Sequence, residues 1–310
     1  MSRWAHWATL AADGVSVLAK INSGELAAQY GFALAFMNSN PQLKTLFNKA
    51  VKNTWTPDRF VAELRGTQWF KHHSANVRNA ILQETSDPAT YKADVAQMKA
   101  SVHDAYGTMF GNLPVSDRQV HAWAETAHRM GWSQAQLTDH IVSAINFNKQ
   151  VKNANLGGQA GQLSQQLDQL MANYGVSNGD QWKASQMKNV LDGSDTIEGM
   201  TNKIREQAKA QYKAFANEID GGATIADIAS PYMQKMSDLL ELDPNSLSVK
   251  NGLIQKALTA TNKQGAPAAM DMGDFANAVR QDSRWQYTDN AKQQAAGVTA
   301  NLLQNFGLLA

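Results

Sequence analysis

Apolar residues recur three and four positions apart along most of this chain, as in Leu43, Leu46, Phe47, Ala50 and Val51, and again in Leu239 and Leu242. That spacing places them on one face of a helix, whereas the period-two alternation of a half-buried strand is nowhere sustained. The pattern predicts an all-α protein, an elongated multi-helix chain of about a dozen helices. Helix starts are marked by proline behind a capping residue: Asn40-Pro41, Thr56-Pro57, Asp87-Pro88, Ser230-Pro231 and Asp243-Pro244. Proline is at home in a first turn, where its missing N–H would have had no partner, so each pair predicts a helix opening. Ser133 with Gln136 reads as a capping box, and Thr224 with Asp227 places a carboxylate near another helix amino end. Gly131, Gly175 and Gly307 follow apolar periodic runs as C-cap glycines do, while Gly31 reads as tolerated inside a helix. The polar, glycine-containing stretch 148–162 predicts a linker between a helical region over 1–147 and a second over 163–310.

The two regions share phrases. "WTPDRFVAELRGTQWF", from Trp55 to Phe70, and "MDMGDFANAVRQDSRW", from Met270 to Trp285, each place a phenylalanine, an arginine five residues on, and then a tryptophan: Phe60, Arg65, Trp69 and Phe275, Arg280, Trp285. A tyrosine stands upstream of both, Tyr30 and Tyr232. "NPQLKTLFNKAV" precedes the first phrase as "DPNSLSVKNGLIQKAL" precedes the second, and "AHRMGWSQAQL" is echoed by "LMANYGVSNGDQW", with a helix stopping at glycine and a serine restarting the next. The order of modules predicts two related, roughly mirrored helical halves, too few to make a solenoid. In both phrases the aromatics are expected to pack in the core with the same turn and the same buried face, since Phe60, Val61 and Leu64 continue an apolar face that Trp69 closes over. Arg65 and Arg280 are expected to bridge to a carboxylate or to helix carbonyl ends.

Composition narrows the chemistry. The 310 residues suffice for two domains of ordinary size. A net charge of +1 gives no general reason to expect nucleic acid, so DNA contact stays without support. Residues 1–155 carry 15 basic against 11 acidic side chains and residues 156–310 carry 13 against 16, an asymmetry suited to head-to-tail stacking of subunits. With no cysteine, disulfides, thiolate nucleophiles and Cys-based zinc sites are excluded. His6, Asp13 and Lys20 interrupt the amino-terminal stretch, and no window of eighteen apolar residues occurs, so neither a signal peptide nor a membrane span is expected and synthesis is expected in the cytoplasm.

All seven histidines lie within the first 140 residues, and His121, Glu125 and His128 share a helical face with Asp117 one turn earlier. That spacing admits a divalent ion but lacks the close histidine pair of zinc hydrolases, so the solvated-face reading is preferred and no metal or cofactor is expected. His72 and His73 read as polar surface. Glu25, Glu63, Glu84 and Glu125 supply carboxylates for glycosidic cleavage, but none is set in an apolar pocket signature. No phosphate loop and no favoured Ser-His-Asp arrangement appears, so no catalytic residue is assigned. Trp4 and Trp7, with Leu10, form a small aromatic ridge that either docks a partner or covers its own core.

"GFALAFMNSNPQLKTLFNKAVKNTWTPDRFVAELRGTQWFKHHSANVR", "GGATIADIASPYMQKMSDLLELDP" and "DFANAVRQDSRWQYTDNAKQ" together resemble segments of virion structural proteins, minor tail or internal virion proteins, of tailed bacteriophages of actinobacteria. The resemblance runs from about Glu25 to Gly307 and is weakest over the linker. It implies a non-enzymatic component of the virion, made in the host cytoplasm and assembled in several copies with tail, portal or head-tail proteins. Longer relatives carry a cell-wall-cleaving domain as well. Because this chain ends at Ala310, soon after the second module, the resemblance implies the structural part alone. The competing expectations are a virion-associated cell-wall hydrolase or its targeting module, and an internal DNA-handling protein.

Overall fold

The structure is a computed structural model, and it describes residues 40–53 and 55–305. Among these the chain is all-α, without a strand; one isolated bridge joins Thr261 and Pro267. It divides between Ala144 and Ile145 into two compact units. The first holds α1 (Pro41–Lys52), α2 (Pro57–Gly66), α3 (Gln68–His72), α4 (Ala75–Ser86), α5 (Pro88–Phe110), α6 (Asp117–Met130) and α7 (Gln134–Ala144). The second holds α8 (Phe147–Lys152), α9 (Gly158–Asn173), α10 (Asp180–Leu191), α11 (Ile197–Gln211), α12 (Ala216–Asp220), α13 (Ile225–Leu240), α14 (Gly252–Leu258), α15 (Met272–Arg280) and α16 (Asp289–Asn305). Short 3-10 turns lie at Lys213–Phe215, Pro244–Ser246 and Trp285–Tyr287. These sixteen α-helices exceed the expected dozen because several are only five to seven residues long.

The cap-proline pairs open α1, α2 and α5 as expected. The Asn40 side chain accepts from the Gln42 N–H at 2.9 Å, Thr56 from Arg59 at 3.4 Å and Asp87 from Thr90 at 3.1 Å. Asp243-Pro244 opens only a 3-10 turn, with Asp243 accepting from Asn245 at 2.9 Å. Ser230-Pro231 opens nothing, because Pro231 lies inside α13. That helix has already begun at the Thr224–Asp227 capping box, and it runs through the proline because Ile225, Ala229, Tyr232, Met236, Leu239 and Leu240 are buried along its length. Pro231 itself is exposed, as is Asp227 one turn earlier, so the bond the proline cannot donate is lost on the solvent side of the helix.

The segment 148–162 is not an unstructured linker. It contains most of α8, a short loop and the start of α9, and α8 packs against α10. Its polar composition hides anchors at or beyond its margins: Phe147, Ala160 and Leu163 are all buried.

Gly131 and Gly175 do close helices, in the left-handed conformation at φ +64° in both cases. Each makes the paired bonds of a Schellman motif: Trp132 N to Ala127 O at 3.0 Å with Gly131 N to His128 O at 3.2 Å, and Val176 N to Met171 O at 3.0 Å with Gly175 N to Ala172 O at 3.2 Å. A distant side chain reads each turn. Asn76 Nδ2 donates to Met130 O at 3.0 Å, and Tyr212 Oη donates to Gly175 O at 3.0 Å. A Cβ on Gly175 would lie 2.5 Å from Tyr212 Oη, so both the φ and the close approach demand glycine. The restart differs between the copies. Ser133 makes the expected reciprocal bonds with Gln136, whereas α10 is capped by Gly179 and not by Ser177.

In the first unit Leu43, Leu46, Leu64 and Trp69 form a small core with Phe47, Trp55, Phe60, Phe70, Ile81 and Leu82 packed around it. A second core lies between α5 and α6, where Val95, Val102, Phe110, Val120 and Ala124 are buried and Tyr106 meets Trp123 at 6.0 Å between ring centroids. The second unit packs α13 against α9, α14 and α15, burying Leu167, Met236, Ile254, Leu258, Phe275 and Val279. Full burial of side chains this size contributes about 1.5–3 kcal/mol each, before the entropy of ordering them is subtracted.

Candidate assembly surface

The second phenylalanine-arginine-tryptophan phrase builds the most distinctive surface of the described residues. Asp271 caps α15 by accepting from Gly273 N at 2.7 Å. Four residues later Phe275 is fully buried and meets the edge of Tyr232 at 5.0 Å and 90°. The Tyr232 hydroxyl donates to Met270 O at 2.6 Å, so the upstream tyrosine does support this module. Burial raises its pKa above the usual phenol range. Tyr30 lies outside the described residues.

Arg280 ends α15 half-buried, with its guanidinium 5.8 Å from the Trp285 ring centroid and Nη1 donating to Asn277 Oδ1 at 3.2 Å. Its Nε is shut off from solvent and has no hydrogen-bond partner, and no carboxylate pairs with it among the described residues. The expected bridge to an acid or to helix carbonyls is therefore absent. The neighbouring charges satisfy one another instead. Arg284 grips Asp282 through Nε at 2.9 Å and Nη2 at 2.8 Å, and the Arg284 backbone N–H adds a third bond at 3.0 Å. Those bonds hold the Asp282 carboxyl down to about 2.

Trp285 follows in the 3-10 turn, half-buried, and Thr288 locks the turn by donating to Trp285 O at 2.7 Å while accepting from Ala291 N at 3.1 Å. The amino end of α16 is held from 48 residues away. Glu241, in the left-handed region at φ 53°, accepts from Asp289 N at 3.0 Å and Asn290 N at 2.8 Å. Asn290 Nδ2 returns a bond to Asp238 O at 2.8 Å. A carboxylate against the first N–H groups of a helix suits both their unmet donors and the helix dipole.

Beyond that clamp α16 packs chiefly on the 3-10 turn, and residues 292–299 are all exposed. Between helix and turn runs an open groove of about 450 Å³, walled by Arg280, Trp285, Ala291, Ala295, Val298 and Thr299. Val298 is 54% exposed and nearby Tyr287 75%. From Gln293 to Asn305 no charged residue occurs. A helix uncharged from Gln293 on, with an exposed valine and beside one cation without an acid, is suited to receive an apolar segment that carries a carboxylate.

The first phrase is arranged otherwise. Phe60 is half-buried, Arg65 exposed without a polar partner among the described residues, and Trp69 buried, its backbone N–H donating to Gln42 Oε1 at 3.2 Å. The role expected of Arg65 falls to Arg78, which donates to Phe70 O at 3.0 Å and to His73 O, and lies 3.8 Å from the Phe70 ring centroid. Trp4 and Trp7 lie outside the described residues.

The histidine face holds no gathered metal set among the described residues. Asp117 pairs with Lys99 at 2.5 Å, Glu125 with Arg129 at 3.0 Å, and His128 approaches Gln83 Oε1 at 3.2 Å while meeting Tyr91 edge-on at 5.1 Å. Arg129 also takes Glu84 at 2.9 Å, which brings two of the carboxylates considered for glycosidic cleavage together on one guanidinium. No helix among the described residues is long and apolar enough to cross a membrane. Compared with family models, with curated proteins and with solved structures, the chain matches none.

Proposed function

We propose that this chain is a non-enzymatic structural component of a tailed phage virion, at the tail or head-tail region, that joins its neighbours through α16 and the groove beside it. The observation that carries the reading is α16: a seventeen-residue helix fastened at its base by Glu241 yet exposed over residues 292–299. A helix of that length gains most of its stability from packing one face, and this one packs chiefly on a single turn of its own chain. A neighbouring protein supplies the missing face. The likeness of the "DFANAVRQDSRWQYTDNAKQ" phrase to virion proteins points the same way.

The test compares the full chain with a version ending before Asp289 during particle production. The shortened chain should keep its remaining helices and lose incorporation into particles. Normal incorporation of the shortened chain would overturn the reading, as would clearing of actinobacterial peptidoglycan by the purified full chain.

A further inference from the structure

Within the second unit the described residues offer a surface that complements the groove. Ile197, the first residue of α11, is 49% exposed, and apart from Val298 in the groove and Tyr287 in the 3-10 turn it is the only large hydrophobic so exposed in this unit among the described residues. Glu198 follows it, exposed and in no ion pair, although Asp195 two residues before Ile197 is held by Lys203 at 2.8 Å. The groove shows the converse. Arg280 has no acid partner, although Arg284 close by is fully engaged with Asp282. Arg280 and Glu198 thus both stand without an ion-pair partner among the described residues of this unit, each beside an exposed aliphatic side chain.

We propose that a second copy of the chain occupies the groove, inserting Ile197 between Trp285 and Val298 and bringing the Glu198 carboxylate onto the Arg280 guanidinium. Arg280 is half-buried and its guanidinium makes one hydrogen bond among the described residues, from Nη1 to Asn277 Oδ1, so its remaining Nη donors can take an incoming carboxylate. The apolar contact closes over the Trp285 ring, where aromatic anchors are most effective. Because the two surfaces differ, the contact is head-to-tail, and repetition closes a ring or extends a stack. This inference rests on the assembly reading and adds one neighbour to it, another copy.

The test is sedimentation of the full chain over a concentration series. Arg280→Glu and Glu198→Arg should each weaken association about tenfold or more, as expected for losing a charge-assisted bond and gaining a repulsion, and the double charge swap should recover most of it. Melting curves show whether each variant is folded, and if the charge reversals disturb folding, Arg280→Gln and Glu198→Gln give the same single losses. A second measurement uses Arg280→Lys in a mixture of isotopically light and heavy copies treated with carbodiimide. The amine introduced at position 280 should couple to Glu198 of a differently labelled copy. The proposal fails if the wild-type chain stays monomeric throughout, if the double swap does not restore association, or if coupling goes to another acid such as Asp58 beside exposed Val61. If the chain lacking α16 fails to enter particles while both charge variants enter normally, the assembly reading stands and the self-contact falls. Normal entry of all three removes both.

Discussion

The two phenylalanine-arginine-tryptophan modules use the same letters with the burial exchanged. In the first, Trp69 is the core residue, 6% exposed, and Phe60 packs half-buried over it; in the second, Phe275 is fully buried and Trp285 stands half-buried as a groove wall. Both phenylalanines occupy the fourth position of their helices, α2 and α15, so the divergence arises after the arginine. Thr67 ends α2 and caps α3 at once, donating to Leu64 O at 2.7 Å and accepting from Phe70 N at 3.1 Å, which folds Trp69 under the preceding helix. After Arg280 the chain spends one residue more before its tryptophan, and the Asp282–Arg284 grip holds it in a turn instead of a helix. One residue alters the direction in which a helical side chain points by about 100°. A sequence phrase that recurs therefore fixes helix starts more faithfully than it fixes burial.

The sharpest way to break the comparison is to truncate both phenylalanines. Phe275→Ala should cost about 3–5 kcal/mol, the range for emptying a core site. Phe60→Ala should cost roughly 1–2 kcal/mol, since only part of its surface leaves water. Urea unfolding followed separately for each unit by hydrogen exchange measures both. Equal costs would mean that the two modules bury the same position after all.

The tryptophans should reverse that order. Trp69→Ala empties the small core of Leu43, Leu46 and Leu64 and is expected to cost about 3–5 kcal/mol. Trp285→Ala removes a wall that is open on one side and should cost roughly 1–2 kcal/mol. Thermal melts of the two variants, set beside the phenylalanine pair, give a four-way pattern in which the large effects lie on opposite letters.

This contrast also marks how much is legible in the chain. Helix class, the starts at Asn40, Thr56 and Asp87, and the Schellman glycines Gly131 and Gly175 follow from local chemistry, which acts over four or five residues and is visible in a window of that size. Ser230-Pro231 misleads because the same dipeptide is acceptable inside a helix when proline faces water, and facing is a tertiary property. The polar 148–162 stretch misleads because its buried anchors Phe147 and Leu163 lie just beyond it. The site is less legible than the fold. The repeated phrase singles out Arg280 and Trp285, but as core; what makes them a groove is α16, and what orients α16 is Glu241, 48 residues distant from Asp289 and without a sequence signal linking the two.

The arginines separate the modules more gently. Arg65 is exposed and touches no polar partner among the described residues, so Arg65→Met should fall within about 0.5 kcal/mol of the parent. Arg280→Met removes a buried donor that has no acceptor in the isolated chain and should raise stability by about 1 kcal/mol. A residue whose removal stabilises the free protein is one retained for something outside it. Chemical denaturation of both variants decides the point, and a destabilised Arg280→Met would show that the guanidinium serves its own unit.

The smallest effect distinguishes the two turns by pH. In the second module the turn before Trp285 depends on the Asp282 carboxylate, which Arg284 and its backbone N–H hold down to about 2, below the usual carboxylate value of about 3.9. A folded-state pKa that is depressed means the ionised form stabilises the turn: its contribution is full above about pH 4 and is lost as the pH falls toward 2. In the first module the corresponding turn is closed by the Thr67 hydroxyl, which does not titrate in that window. Acidification from about pH 5 to 2 should therefore loosen Trp285 before Trp69, seen as a shift of the Trp285 indole resonance in NMR spectra while that of Trp69 holds its position. Asp282→Asn should abolish the difference by removing the titrating group at all pH values. If both indoles move together, or if the shift persists in Asp282→Asn, the acid response belongs to the fold as a whole, and the ion pair is not what sets the second turn apart from the first.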